Sequence, residues 1–310
     1  MKEYINKLQQ RYNYDENIVN ALSIIIPNMV SYYGEEYENT ILEAIYNCQI
    51  HICKKDENIF DVVDRYSKVK KEGNVKVNEG ELKVSSGVYH SEPILKYNET
   101  KKEYEIININ RIIVLNNNRE LTDKSGIATL THELCHLIKG YVNEYSIEGN
   151  TIIAKNGLIR EVGIIKDNNT IEVVSEKNVG LEEGINSYDE AMIVSKIYNE
   201  EYEPKGYVAL RESAKIMIEK LQLKNEVIEC LLNKKDILQE KYNNNSNKDL
   251  FGELNVLLDT YVAKEYERLK SAFDHEKIER INLELQELVK QIVTNFGEYK
   301  NNNIQIQRSV

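Results

Sequence analysis

The sequence is poor in cysteine and lacks a long apolar run. Its four cysteines in 310 residues do not make the framework of a small disulfide-rich secreted domain. The longest apolar stretch near the N-terminus, residues 21–30, is interrupted by Ser23, Pro27 and Asn28 and is too short to span a bilayer. Met1 is followed directly by charged amphipathic sequence, without the apolar core of a cleavable signal. We therefore expect a cytoplasmic protein that does not engage a membrane.

Positive charge is also in deficit. The chain has 40 Lys and Arg against 51 Asp and Glu, a formal net charge of −11. Short basic clusters such as residues 68–71 are followed by acidic residues and form no basic stripe, which argues against a nucleic-acid partner. With 310 residues, of which 41% are hydrophobic, the chain exceeds one typical domain and has enough apolar residues for a core or two.

Histidine is scarce, and two of the five histidines stand four residues apart in one short segment. His132, Glu133 and His136 form the H-E-x-x-H arrangement of zinc hydrolases. With so few histidines, a chance match anywhere in the chain has a probability on the order of one in a hundred. Residues i and i+4 share one face of a helix, so both imidazoles can bind one ion while Glu133 reaches a water on it.

The residues around the motif predict that it lies inside a helix. Residues 122–125 supply N-cap candidates, and Gly140 is a helix stop. An apolar stripe runs between them, consisting of Ile127, Leu130, Leu134, Leu137 and Ile138. Cys135 is interpreted as a small buried residue. The alternative interpretation of the segment is an amphipathic helix whose histidines lie at its surface.

A zinc site needs a third protein ligand, and Glu182, Glu183 and Glu190 follow the motif in residues 179–191. Here the chain resembles the gluzincin metallopeptidases, the thermolysin-like group in which a Glu on a second helix completes the site. The matched pattern is Leu-x-Glu-Gly-apolar-x-x-Tyr, formed by Leu181, Glu183, Gly184, Ile185 and Tyr188. The resemblance implies that Glu183 is the third ligand and Zn²⁺ the cofactor, with Glu182 and Glu190 as rival ligands.

The resemblance also implies a mechanism and its residues. Zinc would activate a water and polarise the scissile carbonyl, and Glu133 would take the water proton and pass it to the leaving amine. In gluzincins a Tyr or His stabilises the oxyanion; we assign Tyr188, with Tyr141, Tyr145 and His90 as the other candidates. Gluzincins of the thermolysin type carry an Asp four residues after the ligand Glu, as a hydrogen-bond acceptor for a zinc-bound His. This chain has Ser187 at that position and Asp189 two residues later, which leaves the acceptor open.

Periodicity predicts an α+β fold in three parts: an N-terminal helical region at 1–72, a β-rich lobe with the H-E-x-x-H helix at 73–180, and a helical lobe at 181–300 with the third ligand. Within these parts, Pro27 is expected to break the first helix, and residues 81–84 and 104–115 to form strands. A hairpin insertion is expected after the motif helix, with turns at 156–157 and 167–169. The resemblance implies a zincin-like metallopeptidase core, a small sheet plus the H-E-x-x-H helix, flanked by N-terminal and C-terminal helical regions.

Together these observations predict a zinc-dependent peptidase that cuts a peptide or protein substrate in a cleft between the β-rich and helical lobes. One alternative is the metallopeptidase group associated with mobile elements, which acts on phage-type repressors. Its third Glu lies in a Glu-x-x-Ala helix, which residues 187–191 resemble. Another is a non-catalytic protein-interaction module on a zincin scaffold, with the terminal helices as docking surfaces. Oligomeric state stays open.

Overall fold

The computed structural model describes residues 2–73, 85–116, 121–141, 144–232, 237–243, 248–271 and 274–307. The protein has a mixed α+β fold with 59% helix and 22% strand. The chain forms two compact units. The first consists of Met1–Asn156, Arg160–Glu176 and Asp189–Pro204, and the second of Gly157–Ile159, Lys177–Tyr188 and Lys205–Val310. Among the described helices, none combines the length and the apolar character that crossing a membrane requires.

The elements are labelled in chain order. The α-helices of the described residues are α1 (Lys2–Tyr12), α2 (Glu16–Tyr33), α3 (Glu38–Tyr46), α4 (Ile59–Tyr66), α5 (Lys124–Gly140), α6 (Val179–Tyr198), α7 (Val208–Lys215), α8 (Lys224–Leu232), α9 (Ile237–Tyr242), α10 (Leu250–Lys270) and α11 (His275–Gln307). The strands are β1 (Gln49–Ile52), β2 (Lys70–Gly73), β3 (Gly87–Asn98), β4 (Glu103–Leu115), β5 (Tyr145–Glu148), β6 (Thr151–Asn156), β7 (Ile159–Asp167) and β8 (Thr170–Lys177). The strand expected at 81–84 lies outside the described residues.

Helix α2 contains Pro27 and continues through it, so the expected break at this residue is wrong. An interior proline removes one backbone donor and crowds the preceding turn, at a cost of about 3 kcal/mol. Here Ile25, Ile26 and Met29 are fully buried on both sides of Pro27. Burying side chains of this size contributes roughly 1.5–3 kcal/mol each, which offsets the cost of the proline.

The first sheet has the strand order β1-β4-β3. Strand β4 is confirmed where the pattern at 104–115 predicts a strand. It forms a long antiparallel hairpin with β3, and β1 joins β4 in parallel. Strands β1 and β2 both lie in the region expected to be helical. Each has only four residues and pairs with a strand that is distant in sequence. Local periodicity carries no signal of such pairing.

Side chains alternate across β4, so its two faces meet different helices. Ile112 and Val114 pack in one buried cluster with Val62 of α4. Ile113 and Leu115 point to the opposite face and are fully buried. Helix α5 contacts β3 and β4, and it meets the sheet on the face that carries Leu115. The motif helix is therefore packed on a small sheet.

The second sheet has the order β2-β8-β7-β6-β5. The strands and turns of the predicted hairpin insertion are confirmed: β6 and β7 are joined around Gly157, whose φ is +59°, and β7 and β8 are joined around 168–169. A left-handed φ favours glycine, because other residues carry a Cβ penalty there. Ile152, Ile165 and Ile171 form an apolar cluster on this sheet.

The second unit is mainly helical and contains α7–α11 together with the first turns of α6. Leu254 and Leu258 of α10 and Ile281 of α11 are buried, and these two long helices contact each other. The backbone of α10 at Leu258 lies so close to Gly180 of α6 that a Cβ would not fit there. The three-part division drawn from the sequence stays a prediction.

Candidate metal centre

The motif lies in the middle of helix α5, as predicted. The Asp123 carboxylate caps the helix and accepts a hydrogen bond from the Gly126 N–H at 2.6 Å, and the helix ends at Gly140. His132 is partly exposed, whereas Glu133 and His136 are buried. The two imidazole rings are 5.0 Å apart, centroid to centroid, with an interplanar angle of 70°. The i,i+4 spacing therefore brings both rings to one side of the helix.

The structure brings Glu183 of helix α6 to this histidine pair. One ligand atom from each of His132, His136 and Glu183 lies within 4.8 Å of the other two. Donors that share one zinc at about 2 Å are expected to be within about 4 Å of one another. The 4.8 Å within which these three atoms lie is somewhat wider than that distance. Among the described residues this is the group of His, Cys, Asp and Glu side chains that can hold a metal ion.

Glu190, which the sequence analysis left as a rival ligand, contacts the Nδ1 atom of the His132 ring. Its Oε2 lies 3.1 Å from His132 Nδ1, and its Oε1 accepts a hydrogen bond from the Tyr202 hydroxyl at 3.1 Å. An ionised carboxylate only accepts, so this contact favours the neutral imidazole tautomer with the proton on Nδ1 and the lone pair on Nε2. Sequence reasoning missed this role and missed Tyr202, which lies in a loop after α6 with no pattern to mark it.

Glu182, the other rival ligand, contacts the turn between β6 and β7. Its Oε2 accepts a hydrogen bond from the Leu158 N–H at 2.7 Å, and its carboxylate lies against Gly157. The side chain is fully buried. Glu182 thus supports the turn between β6 and β7 from the first turn of α6.

Glu133 lies beside the first residue of strand β3. A Cβ added to Gly87 would approach Glu133 Oε1 to 3.0 Å and Thr129 Cγ2 to 2.9 Å. Glycine at this position therefore leaves room for the Glu133 carboxylate between the helix and the sheet edge. Glu133 is 6% exposed, so its carboxylate is largely shielded from bulk water.

The structure gives each candidate oxyanion donor a defined contact. The Tyr188 hydroxyl donates to Glu219 Oε1 at 3.0 Å. The other candidates are placed as follows: Tyr141 accepts from Asn47 Nδ2 at 2.9 Å, Tyr145 donates to the Ser91 carbonyl at 2.9 Å, and His90 Nε2 lies 3.6 Å from Glu92 Oε2. The role of Tyr188 as oxyanion donor stays a prediction.

Cys135 lies between the two histidines of the motif but is not one of the three candidate metal ligands. Its side chain is fully buried, which confirms its interpretation as a small core residue. Burial raises the pKa of its thiol to about 12, although the nearby Lys139 cation acts in the opposite direction. The thiol is therefore protonated at neutral pH, and a metal is bound by the thiolate.

The donor set suits zinc chemically. Catalytic zinc sites combine imidazole nitrogens and carboxylate oxygens in three protein ligands and leave one position for water or substrate. Two imidazoles and one carboxylate match that set. The contact of Glu190 with His132 is of the same kind as the carboxylate–histidine contact that usually supports a metal-bound histidine.

Comparisons with known proteins add no relative: a scan against protein-family models, a search of curated proteins and a search of solved structures each return no match. The resemblance to gluzincins rests on the motif helix and on residues 181–188. The geometry of His132, His136 and Glu183 is independent of that resemblance.

Proposed function

We propose that this chain is a zinc-dependent peptidase of the gluzincin type, with a zincin-like core formed by the β1-β4-β3 sheet, α5 and α6. The observation that carries the proposal is the convergence of His132, His136 and Glu183, whose ligand atoms lie within 4.8 Å of one another. The two histidines come from one helix and the glutamate from another, more than forty residues away in sequence. A solvated acidic helix face gives no reason for Glu183 to meet that pair.

In the proposed site His132, His136 and Glu183 hold the ion. Bound zinc supplies Lewis acidity, which polarises a carbonyl and lowers the pKa of water toward neutrality. Glu133 accepts the proton of the attacking water and delivers it to the leaving amine. Glu190 keeps His132 in the tautomer that presents Nε2. Tyr188 can stabilise the oxyanion only after its hydroxyl leaves Glu219.

The proposed substrate is a peptide or a protein, and the proposed location is the cytoplasm. The four cysteines are free thiols, and all of them are buried. Free thiols suit a reducing compartment, where disulfides are rare.

The proposal is tested by zinc content and peptide hydrolysis measured on the same preparations. Purified parent protein should contain about one zinc per chain and should cleave members of a peptide library, with activity lost to a chelator and restored by zinc. His132→Ala should contain little zinc and have no activity. His275→Ala is the matched control, because His275 is an exposed histidine at the start of α11.

Two outcomes would contradict the proposal. Equal zinc in His132→Ala and the parent would mean that the site is misassigned. Zinc binding without chelator-sensitive cleavage of any peptide tried would instead favour a non-catalytic interaction module.

A further inference from the structure

Two adjacent carboxylates of helix α6 contact the motif helix α5. Glu190 Oε2 lies 3.1 Å from His132 Nδ1, and Asp189 Oδ2 lies 2.6 Å from Lys139 Nζ. His132 and Lys139 are seven residues apart, which is about two turns, so they lie on nearly the same face of α5. The two helices are thus joined by two polar contacts at different heights.

Asp189 is the centre of a buried network. Its Oδ1 accepts a hydrogen bond from the Tyr32 hydroxyl at 2.7 Å, and its Oδ2 accepts one from the Tyr33 hydroxyl at 2.6 Å. The Lys139 side chain is fully buried and Asp189 is 3% exposed. Burial, and then the charge of Asp189, raise the pKa of Tyr33 well above its usual value, so its hydroxyl stays a donor. Helices α2, α5 and α6 meet at this one carboxylate.

A gain in stability does not by itself explain why Lys139 and Asp189 form a buried ion pair. Replacing a buried ion pair by apolar residues of similar size is often neutral or stabilising, because desolvation opposes the Coulomb attraction. What charged hydrogen bonds add is direction, since they fix donor and acceptor in one arrangement. An apolar contact at Lys139 and Asp189 would let helix α6 slide or rotate on α5.

We propose that Lys139, Asp189 and Tyr33 form a positioning network that holds Glu190 against His132. Residues 189 and 190 differ by about 100° around the axis of α6 and by about 1.5 Å along it. Fixing Asp189 therefore fixes both the rotation and the height of Glu190. The two contact points on α5 are about 10 Å apart along that helix, so together they also resist tilting. This inference rests on the proposed zinc site, because it concerns the histidine that would hold the ion.

The test compares zinc affinity and the Co²⁺ absorption spectrum of folded variants. Asp189→Asn removes the charge of the carboxylate, and the double variant Lys139→Met with Asp189→Asn also removes the lysine, so that no buried charge is left alone. Each variant should bind zinc about tenfold more weakly than the parent or worse, as measured by competition with a chelator. The Co²⁺ spectrum should shift, because the His132 ring changes its orientation.

The matched control is Glu92→Gln. Glu92 is also a buried carboxylate that accepts several hydrogen bonds, from Ser67, the Lys68 N–H and Asn110. Glu92→Gln should lower the free energy of unfolding. Its zinc affinity and its Co²⁺ spectrum should equal those of the parent. If the network around Asp189 only stabilises the fold, the Asp189 variants should likewise lose stability and keep the parental zinc affinity and Co²⁺ spectrum.

The outcomes separate this inference from the function on which it rests. Parental zinc affinity and spectrum in the folded double variant would overturn the positioning role while leaving the zinc site intact. A parent that binds no zinc would overturn both. Weakened binding with a shifted spectrum in the double variant, against an unchanged control, would support the network.

Discussion

At the scale of single residues, neighbouring carboxylates have distinct contacts and so distinct expected roles. Glu133 lies beside the candidate ligands and against Gly87, whereas Glu190 contacts the far nitrogen of His132. The motif alone predicts the role of Glu133, because its position after the first histidine is part of the pattern. The contact of Glu190 could not be predicted, since it depends on how α6 crosses α5.

Glu133→Gln should retain zinc and lose hydrolysis. Glutamine keeps the size of the side chain but removes its basicity, so metal binding is untouched and proton transfer is lost. We expect turnover to fall by at least ~10²-fold, the lower end for general acid–base catalysis. Single-turnover assays on the best peptide substrate, with zinc content measured in parallel, check this. Undiminished turnover would exclude Glu133 as the base.

Glu183→Ala and Glu190→Gln should weaken zinc binding to different extents. Loss of Glu183 removes a ligand, whereas loss of the Glu190 charge weakens the support of His132, at a cost of about 10- to 100-fold in affinity. The Glu183 variant should therefore be the weaker binder in chelator competition. The reverse order would make Glu190, and not Glu183, the third ligand.

Glu92 should make stability depend on acid pH. Burial acts to raise the pKa of Glu92, but the nearby His90 imidazole and hydrogen bonds from Ser67, Asn110 and the Lys68 N–H lower it to about 2. An unfolded Glu has a pKa of about 4.3, so the stabilisation is complete above that pH and is lost as the pH falls toward 2.

The expected contribution of Glu92 is roughly 3 kcal/mol at neutral pH. Denaturant unfolding of the metal-free parent and of Glu92→Gln from pH 7 to pH 2.5 measures it. The difference in free energy of unfolding should shrink below about pH 4. A difference that does not vary with pH would contradict the assignment.

At the scale of elements, the Glu-Gly pair that suggested Glu183 has a packing reason. A Cβ on Gly184 would come within 2.5 Å of the Leu210 carbonyl oxygen on helix α7. Glycine lets the two backbones approach closely right after the candidate ligand. The glycine of the matched pattern therefore meets a steric requirement of α6.

Gly184→Ala should destabilise the protein, and Gly297→Ala should stabilise it. Overpacking against a backbone costs about 1–3 kcal/mol. Gly297 on α11 has no heavy atom within 4 Å of an added Cβ, so alanine there gains about 0.5–1 kcal/mol of helix propensity. Denaturant unfolding of both variants checks the prediction. A stabilising Gly184→Ala would contradict the close packing of α6 on α7.

Element type was predictable where patterns are long and local. The motif helix, the β4 strand and the hairpin insertion follow from capping residues, β-branched runs and turn residues. Strands β1 and β2 did not, because four residues carry too little pattern and their pairing is decided by distant strands. The helix break predicted at Pro27 is wrong because burial of the neighbouring side chains outweighs the local cost of the proline.

At the scale of the whole molecule, the chain has few histidines, yet two of the five meet a glutamate from a separate helix. The resemblance to gluzincins, which covers two short segments, implied that Glu183 would meet the two histidines. The supporting contacts, from Tyr202 to Glu190 and from Lys139 to Asp189, could not be predicted from the sequence. Such contacts depend on tertiary packing, which leaves no short motif.

The most direct test of the central claim is an anomalous difference map, collected at the zinc absorption edge from crystals of the protein grown with zinc. The account predicts one strong peak bonded to imidazole nitrogens of His132 and His136 at about 2.0–2.1 Å and to a Glu183 oxygen at about 2.0–2.2 Å. A map without a peak at this position, or with a peak whose ligands exclude Glu183, would contradict it.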